Sequence, residues 1–309
     1  MNMTHSHITL PVGEGQATLD VLADQVAKRT GSVEDVFTAL PGLSLHRFVR
    51  PTPLQPCLYE PSVTLVIAGL KRVNLAEESY LMHPRHFLLV SANLPVTPQI
   101  LEASAEHPFI AVSLRLDMPA LATFLLNSDF PAISKGAPDR AMALGEAAPD
   151  LLDAFRRLLA LLDTPRDLAA LAPLVQQEIL YRLLMSGQGG HLRQMAAVGS
   201  HSHRIARAIK WLGTHFQQPL KIEELAEHVG MSASSFHRTF KEVTAMSPLQ
   251  YQKTLRLSEA QRLMLTRNMD AARAGFEVGY ASPSQFSREY RRQFGSSPSG
   301  HTAALRQPI

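Results

Sequence analysis

An internal repeat constrains the fold of the C-terminal third of the chain. Residues 229–248 (VGMSASSFHRTFKEVTAMSP) and 278–298 (VGYASPSQFSREYRRQFGSSP) share one pattern of apolar, aromatic and basic residues. Four positions recur at an offset of 50: Phe236 and Phe286, Arg238 and Arg288, Phe240 and Tyr290, Pro248 and Pro298. Gly230 recurs as Gly279 at an offset of 49, so the second copy carries one extra residue after its glycine. This repeat predicts two copies of one supersecondary unit.

The first copy predicts two helices joined by a tight turn. Apolar residues recur at helical spacing over residues 222–229, and Gly230 supplies the left-handed backbone that ends a helix. Ser232 then provides an N-cap for a second helix, in which Phe236 and Phe240 share the inward face. This arrangement is the helix-turn-helix motif, whose second helix reads DNA.

The second copy predicts the same unit. Gly279 ends its first helix, and Ser282 caps the next one. Pro283 occupies the first helical turn, where a missing N–H is tolerated. The outward positions of the two second helices are polar or basic: Ser234, Ser235, His237, Arg238 and Lys241, then Ser284, Gln285, Ser287, Arg288 and Arg291. Both second helices therefore present a face suited to DNA.

A long helix is predicted between the two copies. It begins after Pro248, and about 18 residues of helix span roughly 27 Å. Such a spacer would hold two recognition helices about one DNA turn apart, near 34 Å, so that both could enter successive major grooves.

The charge of the chain is concentrated at the same end. Residues 1–200 contain 15 basic and 19 acidic residues, a net charge of −4. Residues 201–309 contain 15 basic and 8 acidic residues, a net charge of +7, which agrees with the total of +3. A basic excess confined to the helix-turn-helix region favours a polyanionic partner.

Residues 201–304 resemble the DNA-binding domain of the AraC/XylS transcription regulators. The resemblance rests on LAEHVGMSASSFHRTFKEVTAMSPLQYQKTLRLSEAQRLM and on VGYASPSQFSREYRRQFGSSP. It implies base-reading roles at four positions: Ser234, Arg238, Ser284 and Arg288. It implies groove or phosphate contacts at their neighbours: Ser235, His237, Lys241, Gln285, Ser287 and Arg291. Relatives often carry a larger side chain at Ser234, so base reading by the first unit is expected either to be weaker or to depend on Arg238.

The remainder of the chain changes character along its length. Short apolar or alternating segments such as SVTLVIAGL, HFLLVSANL and FIAVSLRL predict a small antiparallel barrel or sandwich. Leucine-rich segments such as LLDAFRRLLALLD and LAPLVQQEILYRLLMS follow and predict helices. The predicted fold class is α+β, with a β-rich N-terminal domain, flanking helices and an all-α C-terminal domain.

The sequence predicts four regions. They are an N-terminal extension with a helix (1–34), a sensor and dimerisation domain (35–185), a linker (186–200) and a DNA-binding domain (201–305). The two helix-turn-helix units are predicted at about 222–243 and about 270–293.

Residues 35–200 resemble the cupin-like N-terminal domain of one branch of AraC-type regulators. The resemblance rests on YEPSVTLVIAGLKRV, LLVSANLPVTPQI and LAPLVQQEILYRLLMSGQGGHLRQMA. It implies a barrel that binds a small effector and helices that form a homodimer. The resemblance does not identify the effector.

Two other readings of the N-terminal domain stay open. The barrel could have lost its ligand and serve only for dimerisation. More remotely, it could be a metal-dependent cupin enzyme, although His83 and His86 have HxxH spacing without a partnered Glu and a late His. Cys57 could sense redox state, although a lone cysteine beside an apolar segment is more often a small buried hydrophobe.

The sequence therefore predicts a DNA-binding transcription regulator that is not an enzyme. Its predicted partners are double-stranded DNA, an unidentified small-molecule effector, a second copy of the chain and RNA polymerase. No cofactor, metal site or membrane contact is predicted. No apolar run approaches the roughly 20 residues of a membrane span, and the N-terminus lacks a signal-peptide pattern. With a single cysteine, these features favour the cytoplasm and association with the nucleoid.

Overall fold

A computed structural model of the protein describes residues 14–126, 140–197 and 199–306. Within these ranges the chain forms a β-rich N-terminal domain and a helical C-terminal domain. The predicted two-domain α+β fold is confirmed. The first residues of the predicted N-terminal extension, 1–13, lie outside the described residues.

Within the described residues, the N-terminal domain has ten antiparallel strands. They are β1 Asp35–Phe37, β2 Leu43–Phe48, β3 Cys57–Tyr59, β4 Ser62–Ala68, β5 Leu70–Leu75, β6 Glu78–Met82, β7 His86–Val90, β8 Leu94–Glu102, β9 Phe109–Arg115 and β10 Met142–Glu146. A six-stranded sheet has the order β1-β2-β9-β4-β7-β10, and a four-stranded sheet has the order β3-β8-β5-β6. Consecutive residues of β4, β7 and β9 are buried, so both faces of these central strands are covered.

Five helices accompany the strands. They are α1 Glu14–Thr30, α2 Met118–Leu126, α3 Pro149–Ala160, α4 Pro165–Met185 and α5 Gly189–Ala196. Two of these elements differ from the sequence prediction. The sequence predicts helices and no further strand after FIAVSLRL, yet β10 pairs with β7 as a sixth strand. Residues 186–200 were expected to be a linker, yet α5 forms there because Leu192, Met195 and Ala196 are buried.

Seven helices form the C-terminal domain. They are α6 His201–His215, α7 Ile222–His228, α8 Ala233–Thr244, α9 Pro248–Thr266, α10 Ala271–Glu277, α11 Pro283–Phe294 and α12 Pro298–Arg306. The pairs α7–α8 and α10–α11 are the two predicted helix-turn-helix units. Both turns contain the predicted left-handed glycine, with φ of +72° at Gly230 and +90° at Gly279. The connecting helix α9 has 19 residues.

Three apolar clusters hold these elements together. The first joins α1, α3, α4 and α5 to the six-stranded sheet, with Leu22 and Phe155 among its fully buried side chains. The second joins strands of both sheets to α6, α7, α8 and α9, and so crosses between the domains. The third lies within the second helix-turn-helix unit, around Phe286 and Tyr290.

Candidate nucleic-acid interface

The first recognition helix, α8, is fixed by caps and by two buried aromatic rings. The hydroxyl of Ser232 accepts a hydrogen bond from the Ser235 N–H at 3.4 Å, as its N-cap role predicts. Phe236 and Phe240 are fully buried, and Phe240 meets the ring of Tyr251 on α9 edge-on. Burial of this face leaves the opposite face of α8 for solvent or a ligand.

The predicted site residues of α8 lie on its open face. Ser234, His237, Arg238 and Lys241 are exposed, and Ser235 is half-buried beside the cap. The Arg238 side chain is 71% exposed, and its Nε lies 4.0 Å from Glu242 Oε1 on the next turn. An exposed pair at this distance is weak, so the guanidinium can leave Glu242 for a base or phosphate at little cost.

The second recognition helix, α11, repeats this arrangement. Ser282 caps it, Pro283 is in its first turn, and Gly295 ends it in the left-handed region. Phe286 and Tyr290 are fully buried. The predicted site residues are all exposed: Ser284, Gln285, Ser287, Arg288 and Arg291.

Glu289, a residue of α11 that the sequence analysis did not identify, positions Gln285. Glu289 Oε1 accepts a hydrogen bond from Gln285 Nε2 at 3.3 Å and lies 3.2 Å from Lys253 Nζ on α9. Its second oxygen accepts from the Tyr280 hydroxyl at 2.8 Å. These hydrogen bonds and the charge of Lys253 hold the pKa of Glu289 below its usual range, although partial burial opposes them. The i, i+4 spacing of Gln285 and Glu289 was the available signal.

Both predicted base-reading arginines border one cleft between the domains. The cleft has a volume of about 1180 Å³ and is lined by Arg238 of α8 and Arg288 of α11. The β5–β6 turn of the barrel lines the opposite side with Glu77 and Glu78. The cleft therefore places acidic groups of the N-terminal domain near the two arginines.

Arg140 fastens the first unit to the N-terminal domain. Its Nη1 donates to the backbone carbonyls of Lys241 at 2.9 Å and Glu242 at 2.5 Å, and its Nη2 pairs with Glu78. The adjoining Ala141 N–H donates to the Val243 carbonyl at 2.9 Å. The carbonyls at a helix C-terminus carry partial negative charge, so a guanidinium placed there is stabilising.

A second contact between the domains is made by α9. The Tyr251 hydroxyl donates to the Asn93 carbonyl, next to β8, at 2.7 Å. The Tyr251 ring is fully buried in the cluster that crosses the domains, and this burial raises its pKa. The phenol therefore stays a hydrogen-bond donor at neutral pH.

The surroundings of Cys57, His83 and His86 bear on redox and metal chemistry. Burial raises the pKa of the half-buried Cys57 thiol to about 11, which disfavours the reactive thiolate. The Nδ1 of His86 accepts from the His83 N–H at 3.0 Å, and burial lowers its pKa. Across residues 14–126, 140–197 and 199–306, no three His, Cys, Asp or Glu side chains come together as a metal site.

None of the helices within the described residues has the length and apolar character that a membrane span requires.

Two family models match the chain in the order in which its domains occur. The N-terminus of AraC-type transcriptional regulators matches residues 39–191, and a helix-turn-helix domain matches residues 225–303. A β-rich domain followed by paired helix-turn-helix units defines a class of two-domain transcription regulators. The chain belongs to the AraC/XylS family of this class.

Curated relatives agree with this assignment. The HTH-type transcriptional regulator ArgR of Pseudomonas aeruginosa is 30% identical over 161 residues, which are 52% of this chain and 47% of ArgR. The HTH-type transcriptional activator RhaS of Citrobacter koseri is 27% identical over 217 residues, which are 70% of this chain and 72% of RhaS. The chain spans about half the length of the first curated relatives it matches.

A solved structure shares the two-domain fold. ToxT from Vibrio cholerae O395, bound to (E)-4-(8-methylnaphthalen-1-yl)but-3-enoic acid, aligns with a TM-score of 0.55 and 11% identity. The alignment covers 84% of this chain and 99% of that one. At this identity the likeness concerns the fold alone. It does not bear on the cupin-like character of the N-terminal domain, which stays a prediction.

Proposed function

We propose that the protein is a sequence-specific DNA-binding transcription regulator and not an enzyme. One observation carries the proposal: two matched helices, each held by buried aromatic rings, expose an arginine at the same position, Arg238 and Arg288. Arginine is the side chain that most often reads guanine in the major groove, through two parallel hydrogen bonds. The net charge of +7 on residues 201–309 supplies the attraction for phosphates.

The remaining site residues fall into two groups according to the chemistry of their side chains. Ser234 and Ser284, one turn before the arginines, are short hydroxyl side chains suited to bases at the groove floor. The neighbours suit phosphates or groove edges, where they position the helices without reading sequence: Ser235, His237, Lys241, Gln285, Ser287 and Arg291.

Selection from randomised duplex DNA with the full-length chain tests this function. A regulator of this kind should enrich a site with two blocks of preferred bases, one for each unit. Enrichment of no motif, with equal affinity for every duplex, would contradict sequence-specific reading. If a motif is enriched, the genes beside the sites that the protein binds in cells would indicate the effector.

The N-terminal domain is proposed to control DNA binding in response to a small molecule. Support comes from the contact of Arg140 with the C-terminal end of α8, since a ligand that alters this contact alters the position of the first unit. ToxT structures with this fold hold an unsaturated fatty acid or a naphthalenyl butenoic acid, which makes small organic acids reasonable first probes. A ligand at 100 times its Kd should stabilise the protein by about 2.7 kcal/mol in a thermal-shift screen. A barrel used only for dimerisation would show no such shift.

A homodimer is proposed to form through α4. Its exposed face carries apolar side chains spaced 3, 7 and 4 residues apart: Leu171, Leu174, Tyr181 and Met185. These positions form one stripe along the helix, the pattern of a helix–helix interface. A dimer would place two DNA-binding domains on one operator, in the nucleoid of the cytoplasm, where RNA polymerase is a further partner.

A further inference from the structure

We infer that Arg256 fixes the position of one recognition helix relative to the other, and thereby the spacing of the two base blocks that one chain reads. The inference rests on the proposed function. It makes Arg256 a positioning residue, which acts on DNA through the two helices and touches no base.

Arg256 lies on α9 and reaches backbone groups of both units. Its Nε donates to the Phe216 carbonyl at 2.6 Å, and its Nη2 donates to the Gln217 and Gln218 carbonyls at 3.1 and 3.0 Å. These residues follow α6, which packs on α8. Its Nη1 donates to the Gly279 carbonyl, in the turn between α10 and α11, at 3.1 Å. One guanidinium therefore joins the segment after α6, the connecting helix and the second turn.

The geometry needs an arginine. Four carbonyl oxygens surround the planar guanidinium, whose five N–H groups form a rigid fork, whereas a lysine ammonium is a point donor on a flexible stem. The carbonyls lie beyond the end of α6 and in a turn, where the backbone has no regular partners. The guanidinium supplies donors to all four carbonyls, so it holds the three segments together.

Close packing around Gly279 shows that the segment after α6 touches the second turn directly. A Cβ at Gly279 would lie 2.1 Å from the Gln217 carbonyl oxygen, so a glycine is needed for contact as well as for its φ of +90°. The Phe216 ring packs against both the cluster that crosses the domains and the cluster of the second unit. Gln252, one turn before Arg256, adds hydrogen bonds to Phe216 and Gln218 at 3.0 and 2.7 Å.

The same network continues to the second recognition helix. The Arg256 guanidinium lies over the Tyr280 ring, 5.8 Å from its centroid. The Tyr280 hydroxyl donates to Glu289 of α11 at 2.8 Å. Glu289 in turn forms an ion pair with Lys253 of α9. The length of α9 sets the distance between the units along its axis. The contacts of Arg256 set their rotation about it, and both quantities decide which base pairs Arg238 and Arg288 can reach together.

The spacing of the two blocks is the property that tests the inference. Full-length wild-type protein is offered duplexes in which the two selected blocks are moved apart or together by one or two base pairs. The wild type should prefer one spacing by about tenfold or more, as for a lost base contact, and Arg256→Gln should reduce this preference to about twofold or less. The preferred bases within each block should not change. Arg262→Gln is the matched control, since Arg262 lies on α9 and pairs only with Glu259 of that helix among the contacts described.

A merely structural role would give a different result. Arg256→Gln would then lower affinity equally at all spacings, and this outcome overturns the inference while the proposed function stands. A wild type that selects no two-block site overturns the proposed function. If Arg256→Gln does not fold, Arg256→Lys replaces it, because it keeps the charge and loses the fork.

A distance measurement without DNA further separates failure of this inference from failure of the proposed function. Spin labels at Ser234→Cys and Ser284→Cys, in a Cys57→Ser background, report the distance between the recognition helices. Arg256→Gln or Arg256→Lys should broaden this distance distribution, whereas Arg262→Gln should not. An unchanged distribution in both Arg256 variants overturns the inference whatever DNA the protein binds.

Discussion

The guanidinium of Arg140 donates a hydrogen bond to the backbone carbonyl of Lys241 at 2.9 Å, across the boundary between the two domains. Lys241 is in the last turn of the first recognition helix, so the N-terminal domain caps the element proposed to read DNA. With α8 in this position, Arg238 faces a cleft whose far side includes Glu77. We expect this contact to restrict how the first unit can approach DNA.

The first prediction concerns this contact. Arg140→Ala should raise the affinity of the full-length chain for its DNA site by about two- to thirtyfold, because a helix-terminal charge contributes about 0.3–2 kcal/mol to the closed arrangement. Fluorescence anisotropy with a labelled duplex measures the change. Arg156→Ala is the control, since Arg156 forms an exposed pair with Asp153 on α3. Unchanged or weaker binding by Arg140→Ala would show that the contact does not restrict the first unit.

The second prediction separates the two recognition helices. Arg238→Ala should relax base preference in one block of the site and Arg288→Ala in the other, because the helices enter different grooves. Each change should cost about 1–3 kcal/mol at a preferred guanine, as selection on randomised DNA would reveal. Loss of preference at the same bases in both variants would contradict the two-groove arrangement. No effect from Arg238→Ala alone would mean that the first unit, with its small Ser234, hardly reads bases.

The third prediction concerns salt. Binding of the full-length chain to duplex DNA should weaken by about 10³-fold or more between roughly 50 and 200 mM salt if six or more phosphates are contacted, because phosphate contacts release counterions. Lys241→Ala should reduce the slope of log affinity against log salt by about one unit while base preference stays the same. An affinity that barely changes with salt would place the DNA surface elsewhere on the molecule.

The fourth prediction concerns the stripe on α4. Leu174 is 61% exposed, so Leu174→Asp should leave the fold intact and raise the dimer dissociation constant about tenfold or more, as the loss of about 1.4 kcal/mol requires. Val21→Asp on α1, where the side chain is 43% exposed, is the matched control. Analytical ultracentrifugation at micromolar concentration measures both. A wild type that is monomeric without DNA would instead indicate dimerisation on the operator.

The fifth prediction concerns the thiol of Cys57. Burial raises its pKa to about 11, so the thiolate is scarce at pH 7–8 and alkylation there should be much slower than in the urea-unfolded chain. The raised pKa means that the neutral thiol is the favoured form, and the rate should climb only as the pH approaches 11. Equal rates for folded and unfolded protein at pH 8 would revive the redox-sensing hypothesis.

The elements that sequence predicted best are those with strong local signals. The turns at Gly230 and Gly279 and the caps at Ser232 and Ser282 depend on residues within a few positions of one another, so the pattern contains them. The aromatic pairs at i and i+4 likewise identify the buried face of each recognition helix without knowledge of the tertiary structure.

The elements that sequence missed depend on distant partners. Arg140 lies 101 residues from Lys241, and no local pattern links them. The strand β10 has only five residues and exists because β7 offers a free edge. The helix α5 begins at two glycines, which have low helix propensity, and forms because Leu192 and Met195 enter apolar clusters. In each case tertiary packing overrides a weak local preference.

The apolar cluster that crosses the domains has a thermodynamic consequence. It includes Val73 and Leu94 of the barrel together with Leu212 and Tyr251 of the helical domain, all fully buried. Any rearrangement that lifts the first unit from the barrel brings such side chains into water, and hydration of apolar surface raises the heat capacity. Opening should therefore be recorded by calorimetry as a positive heat-capacity change that grows with the area uncovered. Each domain produced separately would expose an apolar patch. We therefore expect the separate domains to be less soluble than the full-length chain.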